Sequence, residues 1–385
     1  MPSMNNLDIL VRGAGAVGLT AALALSRLGL RVAVQDLQAG AASTGQAAPQ
    51  QDVRAYALNA ASVRLLADLK VWEAIPGDAR TAVHDMHIEG DVPGASLDFS
   101  AWSQGLAELA WIVDAAELET ALRTAARFAP HLVTLPHGTA AEPTAALQVL
   151  AEGKASDSRA RLGVGVQRHD YGHRAIAARL RCDRPHAGLA RQWFRSPDVL
   201  ALLPLDRPQP GHGFGLVWSL PEERAAELLG LSAADFEAAL NDATGAAAGT
   251  LCLASERVGW PLSLQQAQAV HGPGWVLVGD AAHVVHPLAG QGLNLGLADV
   301  AALAQVLAER ARQEPWRALG DPRLLARYAR ARAAPTRAMA LVTDGLLQLF
   351  AHPQPLVREL RNRGMGLVNQ VPAFKRLLIQ QALGN

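Results

Sequence analysis

The sequence predicts an α/β fold. It has a Rossmann-like nucleotide-binding domain made of two separated stretches, an inserted and mostly antiparallel sheet domain, and a helical C-terminus. Three observations predict it. A strand, glycine-rich turn, helix and second strand open the chain. Four strand-like runs without intervening helices occupy its middle. A second strand–loop–helix unit, again glycine-rich, ends near Gly296. The expected boundaries are 1–168 with 256–320 for the nucleotide-binding domain, 169–255 for the sheet domain and 321–385 for the helical region.

The bulk numbers exclude several classes. The chain has 385 residues, half of them apolar, enough for a substantial core. Its 35 basic and 35 acidic residues balance, which argues against a nucleic-acid binder. Cys182 and Cys252 lack metal-type spacing, so no metal is expected, and so few cysteines fit a reducing compartment. Residues 8–34 are apolar but broken by Arg12, Arg27, Arg31 and glycines, which is neither a signal peptide nor a membrane span. A cytoplasmic protein is expected.

The opening unit is the βαβ signature. Asp8–Val11 reads as a strand and Leu19–Leu28 as a helix stopped by Gly29. Arg31–Val34 reads as a second strand ending at Asp36. Between strand and helix lies Gly13-Ala14-Gly15-Ala16-Val17-Gly18. Gly13 makes the tight turn, Gly15 admits a pyrophosphate, and Gly18 allows close helix–strand packing. Asp36, 23 residues after Gly13, is placed to hold ribose hydroxyls.

Residues 37–51 read as a loop. Asp52 then opens an expected helix running through Lys70, with Arg54 near its N-terminus. A cation there opposes the helix dipole, so an anion partner such as a cofactor phosphate would explain it. Val83–Glu89 and Ala95–Phe99 alternate as strands do, and Trp111–Asp114 leads into a helix at Glu117–Phe128. Residues 129–150 are poorly patterned apart from a strand at Leu147–Leu150. The following Glu152-Gly153 suggests a loop near the ligand or a surface turn.

From Tyr171 the parallel pattern stops. Tyr171–Arg181, Ala190–Phe194, Val199–Leu203 and Gly213–Ser219 are strand-like runs separated by Pro, Gly and Asp turns. Pro221–Leu231 and Ala233–Ala247 look helical. Trp193, Phe194 and Trp218 either line an apolar cavity or fill the core.

The stretch that organises the chain follows the apolar strand Trp275–Val278. It runs Gly279-Asp280-Ala281-Ala282-His283 to His286-Pro287-Leu288-Ala289-Gly290-Gln291-Gly292-Leu293-Asn294-Leu295-Gly296, and a helix at Leu297–Arg310 follows. This order puts a carboxylate, Asp280, at a strand end and a glycine turn at a helix N-terminus, where anions and electron-rich carbonyls are favoured. Asp280 is placed to bond a ribityl or ribose hydroxyl. Beyond Ala311 the chain is helical and basic over Pro322–Ala340, Leu341–Phe350, Gln354–Asn362 and Ala373–Leu383. That region is either a set of solvated faces or an amphipathic surface for a partner or an anionic membrane.

The late stretch, with Asp299, resembles the FAD-dependent aromatic hydroxylases of the group A flavoprotein monooxygenase type, closest to the ubiquinone-biosynthesis hydroxylase branch. Arg54-Ala55-Tyr56-Ala57-Leu58, Leu202-Leu203-Pro204-Leu205, Val217-Trp218-Ser219-Leu220-Pro221 and Trp260-Pro261-Leu262 occur in that family's order. Three positions depart from its pattern: Glu152 stands for Asp, Ala115-Ala116 follow Val113-Asp114, and Glu119 stands for Gln.

The resemblance implies a discontinuous FAD-binding domain of the glutathione-reductase type, with FAD as cofactor and O2 as co-substrate. NAD(P)H or another electron donor would be the reductant. It implies ring hydroxylation of a polyprenyl phenol through a flavin C4a-hydroperoxide. Pro287, Gly290, Gln291 and His286 would be catalytic. The six residues from Gly13 to Gly18, Asp36, Arg54, Gly279, Asp280, Pro287, Gly290, Gly292, Leu293 and Asn294 would bind the cofactor. His286 and His283 are candidate bases or structural histidines; as a metal pair they would lack further ligands. Implied partners are a ubiquinone-synthesis protein complex and a peripheral membrane contact. A reductase or dehydrogenase on the same fold, and a weakly flavinated non-catalytic subunit, stay open.

Overall fold

The computed structural model describes residues 7–36, 52–91, 95–135, 143–285 and 291–351. The first βαβ unit is β1 (Leu7–Arg12), α1 (Ala16–Ser26) and β2 (Val32–Gln35). Next come β3 (Ala55–Leu58), α2 (Ala60–Asp68), β4 (Arg80–Val83), β5 (Asp85–Glu89), β6 (Ser96–Ser100) and β7 (Ala110–Asp114). The chain continues through α3 (Ala115–Phe128), β8 (Leu132–Leu135), β9 (Ala145–Leu150) and α4 (Asp157–Arg161). The middle holds β10 (Val166–Cys182), β11 (Leu189–Arg195), β12 (Asp198–Leu205), β13 (Gly213–Pro221), α5 (Glu222–Gly230), α6 (Ala233–Thr244), β14 (Leu251–Leu253) and β15 (Val258–Ala267). The last elements are β16 (His271–Gly272), β17 (Trp275–Leu277), β18 (His283–Val284), α7 (Gln291–Gln313) and α8 (Pro322–Ala351).

The nucleotide-binding sheet has the order β16-β17-β9-β1-β2-β8, with β17, β9, β1, β2 and β8 parallel. Early and late segments therefore share one sheet, as the discontinuous reading expected. The core around it joins α1, α3, α7 and α8 to the strands through Leu19, Leu25, Leu118, Leu122, Leu303 and Leu325, all buried.

The second sheet has nine strands, with the path β18-β15-β10-β13-β12-β11-β5-β6 and β14 on β10. It is antiparallel except at β5–β11. One face packs under α5 and α6. Trp193 and Trp218 lie there, 1% exposed, and Trp218 tilts against Phe236 at 6.0 Å, so these two aromatics fill the core. Phe194 is on the opposite face, against Val199, Ile88 and Leu97.

Four expectations change. The helix expected from Asp52 begins only at Ala60. Ala55–Leu58 is instead a strand of a small antiparallel sheet, β3-β7-β4, and Asn59 caps α2 by accepting from Ser62 N. Alanine and leucine suit either state, and pairing to Trp111–Asp114 decides it. β5, β6 and β15 fall in the stretches assigned to the nucleotide-binding domain but hydrogen-bond into the nine-stranded sheet. The poorly patterned 129–150 stretch supplies β8, an edge strand of the parallel sheet. The two helices expected between 322 and 350 are one, with Pro335 inside it. Gln354–Asn362 and Ala373–Leu383 lie outside the described residues. Gly292–Gln313 is long and apolar enough to cross a membrane, but half of its apolar window is buried and it packs on α1, α2 and α8 as a core helix.

Candidate active site

The three opening glycines have two different structural causes. Gly13 takes φ +105°, and a Cβ on it would stand 2.3 Å from Ala151 O. A Cβ on Gly18 would stand 1.9 Å from Gly13 O. Both are glycine because the chain packs there. Gly15, the N-cap of α1, is exposed and a Cβ on it would meet nothing within 4 Å. Its freedom serves space outside the protein, at a helix N-terminus, as a diphosphate site needs. Ala14, Ala16 and Val17 complete the turn; the two alanines are buried in the core and Val17 packs against it.

The late motif meets this turn. Val17 Cγ2 lies 2.6 Å from where Gly296 would carry a Cβ, and Gly279, at φ +62°, also faces Val17. Gly292, one helical turn before Gly296 on α7, opens on free space as Gly15 does. Gly15 and Gly292, at the starts of α1 and α7, thus both face away from packed described residues.

Asp280 projects from the turn after β17. It is exposed, yet surrounding protein raises its carboxyl above the usual value, as burial does in a concavity. Tyr56 on β3 belongs to the same surroundings, its hydroxyl pushed up to about 12, chiefly by burial. The exposed Arg54 guanidinium lies 5.7 Å from the Tyr56 ring centre. Arg54 is not at a helix start. Its anion partners within the chain are Asp52, at 2.6 Å, and Glu119, at 3.4 Å, which account for its charge without a phosphate. Glu119, one of the departures, thus has a partner.

Other predicted residues are used differently. Asp36 follows β2 and pairs with Arg123 of α3 at 3.0 Å. Leu293 packs against the main core. Asn294 is buried: its Oδ1 accepts from Asn59 N and Ser62 Oγ, and its Nδ2 donates to Ala57 O at 2.7 Å. That side chain seats α7 on the β3–α2 corner. Gln291 opens α7. His286, Pro287 and Gly290 lie outside the described residues. His283 is buried and its Nε2 is 2.7 Å from Asp299 Oδ2, a structural pairing.

Sequence reasoning missed three supports. Glu152 accepts from Arg12 Nε at 3.1 Å, Ser156 Oγ at 2.5 Å, Ser158 N at 2.9 Å and Ser158 Oγ at 2.6 Å. Burial alone would raise its pKa, but these donors bring it below the usual value. The longer glutamate therefore still closes its loop. Arg159 donates to Ala281 O at 2.7 Å and Lys154 O at 2.9 Å, tying that loop to the Asp280 turn. Arg179 of β10, 4% exposed, donates to Arg54 O at 2.6 Å and Asp114 Oδ2 at 3.0 Å, joining the large sheet to β3. A serine pair after Glu152-Gly153 and an arginine inside a buried strand were the available signals.

The described residues fit FAD: open ground at the starts of α1 and α7, and beside them a carboxylate, Asp280, that reaches the surface within surrounding protein. A family model described as an FAD binding domain matches residues 107–343, well over half of the chain. The chain belongs to the FAD-dependent aromatic hydroxylase family. Ubiquinone hydroxylase UbiL of Rhodospirillum rubrum is 32% identical to this hydroxylase over 98% of the chain and 89% of that protein. The 3-demethoxyubiquinol 3-hydroxylase of Escherichia coli is 30% identical over 98% of both. The structure of Klebsiella pneumoniae HpxO complexed with FAD and uric acid superposes at TM-score 0.72. It shares 17% identity and covers 98% of this chain and 97% of that one, a likeness of fold. The hydroxylase is an FAD-binding enzyme.

Proposed function

We propose that this hydroxylase adds oxygen to the aromatic ring of a polyprenyl phenol in ubiquinone biosynthesis. The observation that carries the substrate class is the face of the large sheet turned toward β3. Register puts Ala175 and Ala177 of β10, Val217 and Ser219 of β13, Val199 and Ala201 of β12, and Val258 and Trp260 of β15 on that one face. It is mostly apolar, and Ala201, Val217, Val258 and Trp260 stay half-buried there, suited to a flat ring with a hydrocarbon tail. The activities named for the UbiL and demethoxyubiquinol relatives point the same way.

When bound, reduced FAD supplies the activation of O2. Asp280 would hold a cofactor hydroxyl, the Gly15 turn its diphosphate and the α7 start its electron-rich edge. The apolar face keeps water from the ring. In net terms a ring C–H becomes C–OH, the second oxygen atom leaves as water, and NAD(P)H or another donor provides two electrons. A place at the inner face of the cytoplasmic membrane, and within a ubiquinone-synthesis complex, would bring the tail within reach.

The test is turnover of a short-chain prenyl phenol by the FAD-loaded enzyme under labelled O2. One labelled oxygen atom in the product is expected. Oxygen-independent turnover would favour the reductase reading, and a colourless protein that refuses FAD the subunit reading.

A further inference from the structure

Asp299 is wholly buried in α7, and both of its oxygens are engaged. Oδ2 accepts from Gly279 N at 2.9 Å and bonds His283 Nε2 at 2.7 Å, while Oδ1 accepts from Arg332 Nε at 2.6 Å. Arg332 comes from α8 and also donates to Leu295 O at 3.3 Å. One turn earlier on α8, Tyr328 donates its hydroxyl to Leu277 O at 2.8 Å. The helix is therefore fastened twice beside the cofactor turn, once to β17 and once through Asp299 to Gly279.

We propose that Arg332 is a positioning residue for the flavin: acting through Asp299, it holds the Gly279–Asp280 turn in the shape that receives the cofactor. The inference rests on the FAD site described above. A carboxylate in a dry interior keeps its orientation only while both oxygens have donors. Without Arg332, Oδ1 is bare. Rotation of the carboxylate, or its protonation, then becomes the cheapest relief, and either loosens the bond to Gly279 N. Charge acts in the same direction. Asp299 and Asp280 are both carboxylates around one turn, and Arg332 neutralises the Asp299 charge that would otherwise repel Asp280. Tyr328, fastened to β17, makes no such link to the turn.

The experiment uses the full chain, stripped of flavin, and reads three quantities: the FAD dissociation constant by flavin fluorescence, the absorption spectrum of bound flavin, and the melting temperature of the apoprotein. Arg332→Leu should weaken FAD binding about tenfold or more and shift the bound-flavin bands. Arg332→Lys should fall between, because an amine keeps the charge but not the paired donors. Tyr328→Phe should lower the melting temperature and leave FAD affinity unchanged. If Arg332→Leu does not fold, Arg332→Lys and Arg332→Gln carry the test. Wild-type FAD affinity in the folded Arg332 variants, with only melting temperatures moved, overturns the proposal. A wild-type protein with no FAD affinity overturns the site assignment instead, which keeps the two failures apart.

Discussion

Val17 occupies the space that any side chain at Gly296 would need, its Cγ2 lying 2.6 Å from that would-be Cβ. Residues 279 positions apart in the chain thus set how closely α1 and α7 approach. Val17 is β-branched and stiff, so it yields little. Gly296→Ala should cost about 1–3 kcal/mol of stability by overpacking and weaken FAD binding as well. Thermal melts with and without FAD measure both, and an unchanged melt would show that the helices are not packed this closely.

Gly13 and Gly15 stand two residues apart but should fail differently. Gly13→Ala forces a methyl into Ala151 O at a positive φ, so unfolding should become easier whether or not FAD is present. Gly15→Ala meets open space, so the apoprotein should melt as the wild type does while its FAD affinity falls. Denaturation of the apoproteins beside FAD titrations separates the two.

Asp280→Ala should leave a folded protein that has lost FAD, because among the described residues the carboxylate takes part in no hydrogen bond that holds the fold. Circular dichroism and the flavin content of the purified protein are the measurements; a yellow, active variant would refute the assignment.

Glu152 and His283 predict opposite pH dependences. Glu152 has a lowered pKa in the folded state, so its stabilisation is present above the ordinary value of 4.5 and is lost as pH falls through the folded value. Glu152→Gln should destabilise the fold near neutrality by removing the buried charge that pairs with Arg12, and less in acid. For His283, burial lowers the pKa but Asp299 outweighs it and the net shift is upward. Its stabilisation is full below the ordinary value of 6.5 and is lost as pH rises through the folded value. Asp280, Asp299 and Arg332 are the charged groups that act on it. Melting temperature against pH for wild type and His283→Gln should converge on the alkaline side.

Trp218→Ala should cost about 3–5 kcal/mol with little change in KM, since the indole lies beneath α5 and α6. Trp260→Ala, on the face toward β3, should raise KM with a smaller loss of stability. Reversed effects would exchange the roles of the two faces.

The glycines were legible because their spacing, strand–turn–helix, marks where the backbone packs closely or is left uncovered. Gly13, Gly18 and Gly296 mark close approaches, and Gly15 and Gly292 mark open ground. The parallel sheet followed from the same punctuation. β3 was not legible, because Ala55-Tyr56-Ala57-Leu58 is compatible with a helix until its partner strand is known. The supporting network was hidden for another reason. Arg159, Arg179 and Arg332 each find an acceptor more than 30 residues away, and nothing local in a sequence distinguishes such an arginine from a solvated one.

β18, the strand just after Asp280, pairs with β15 through Gln265–Val284 and Gln266–His283. The ribbon that leaves Asp280 is therefore the outermost rung of the sheet proposed above to carry the substrate. When the molecule breathes, that rung must carry both along together. If the proposed sites hold, the spacing between cofactor and ring is set along one hydrogen-bonded ladder rather than across a joint between two bodies.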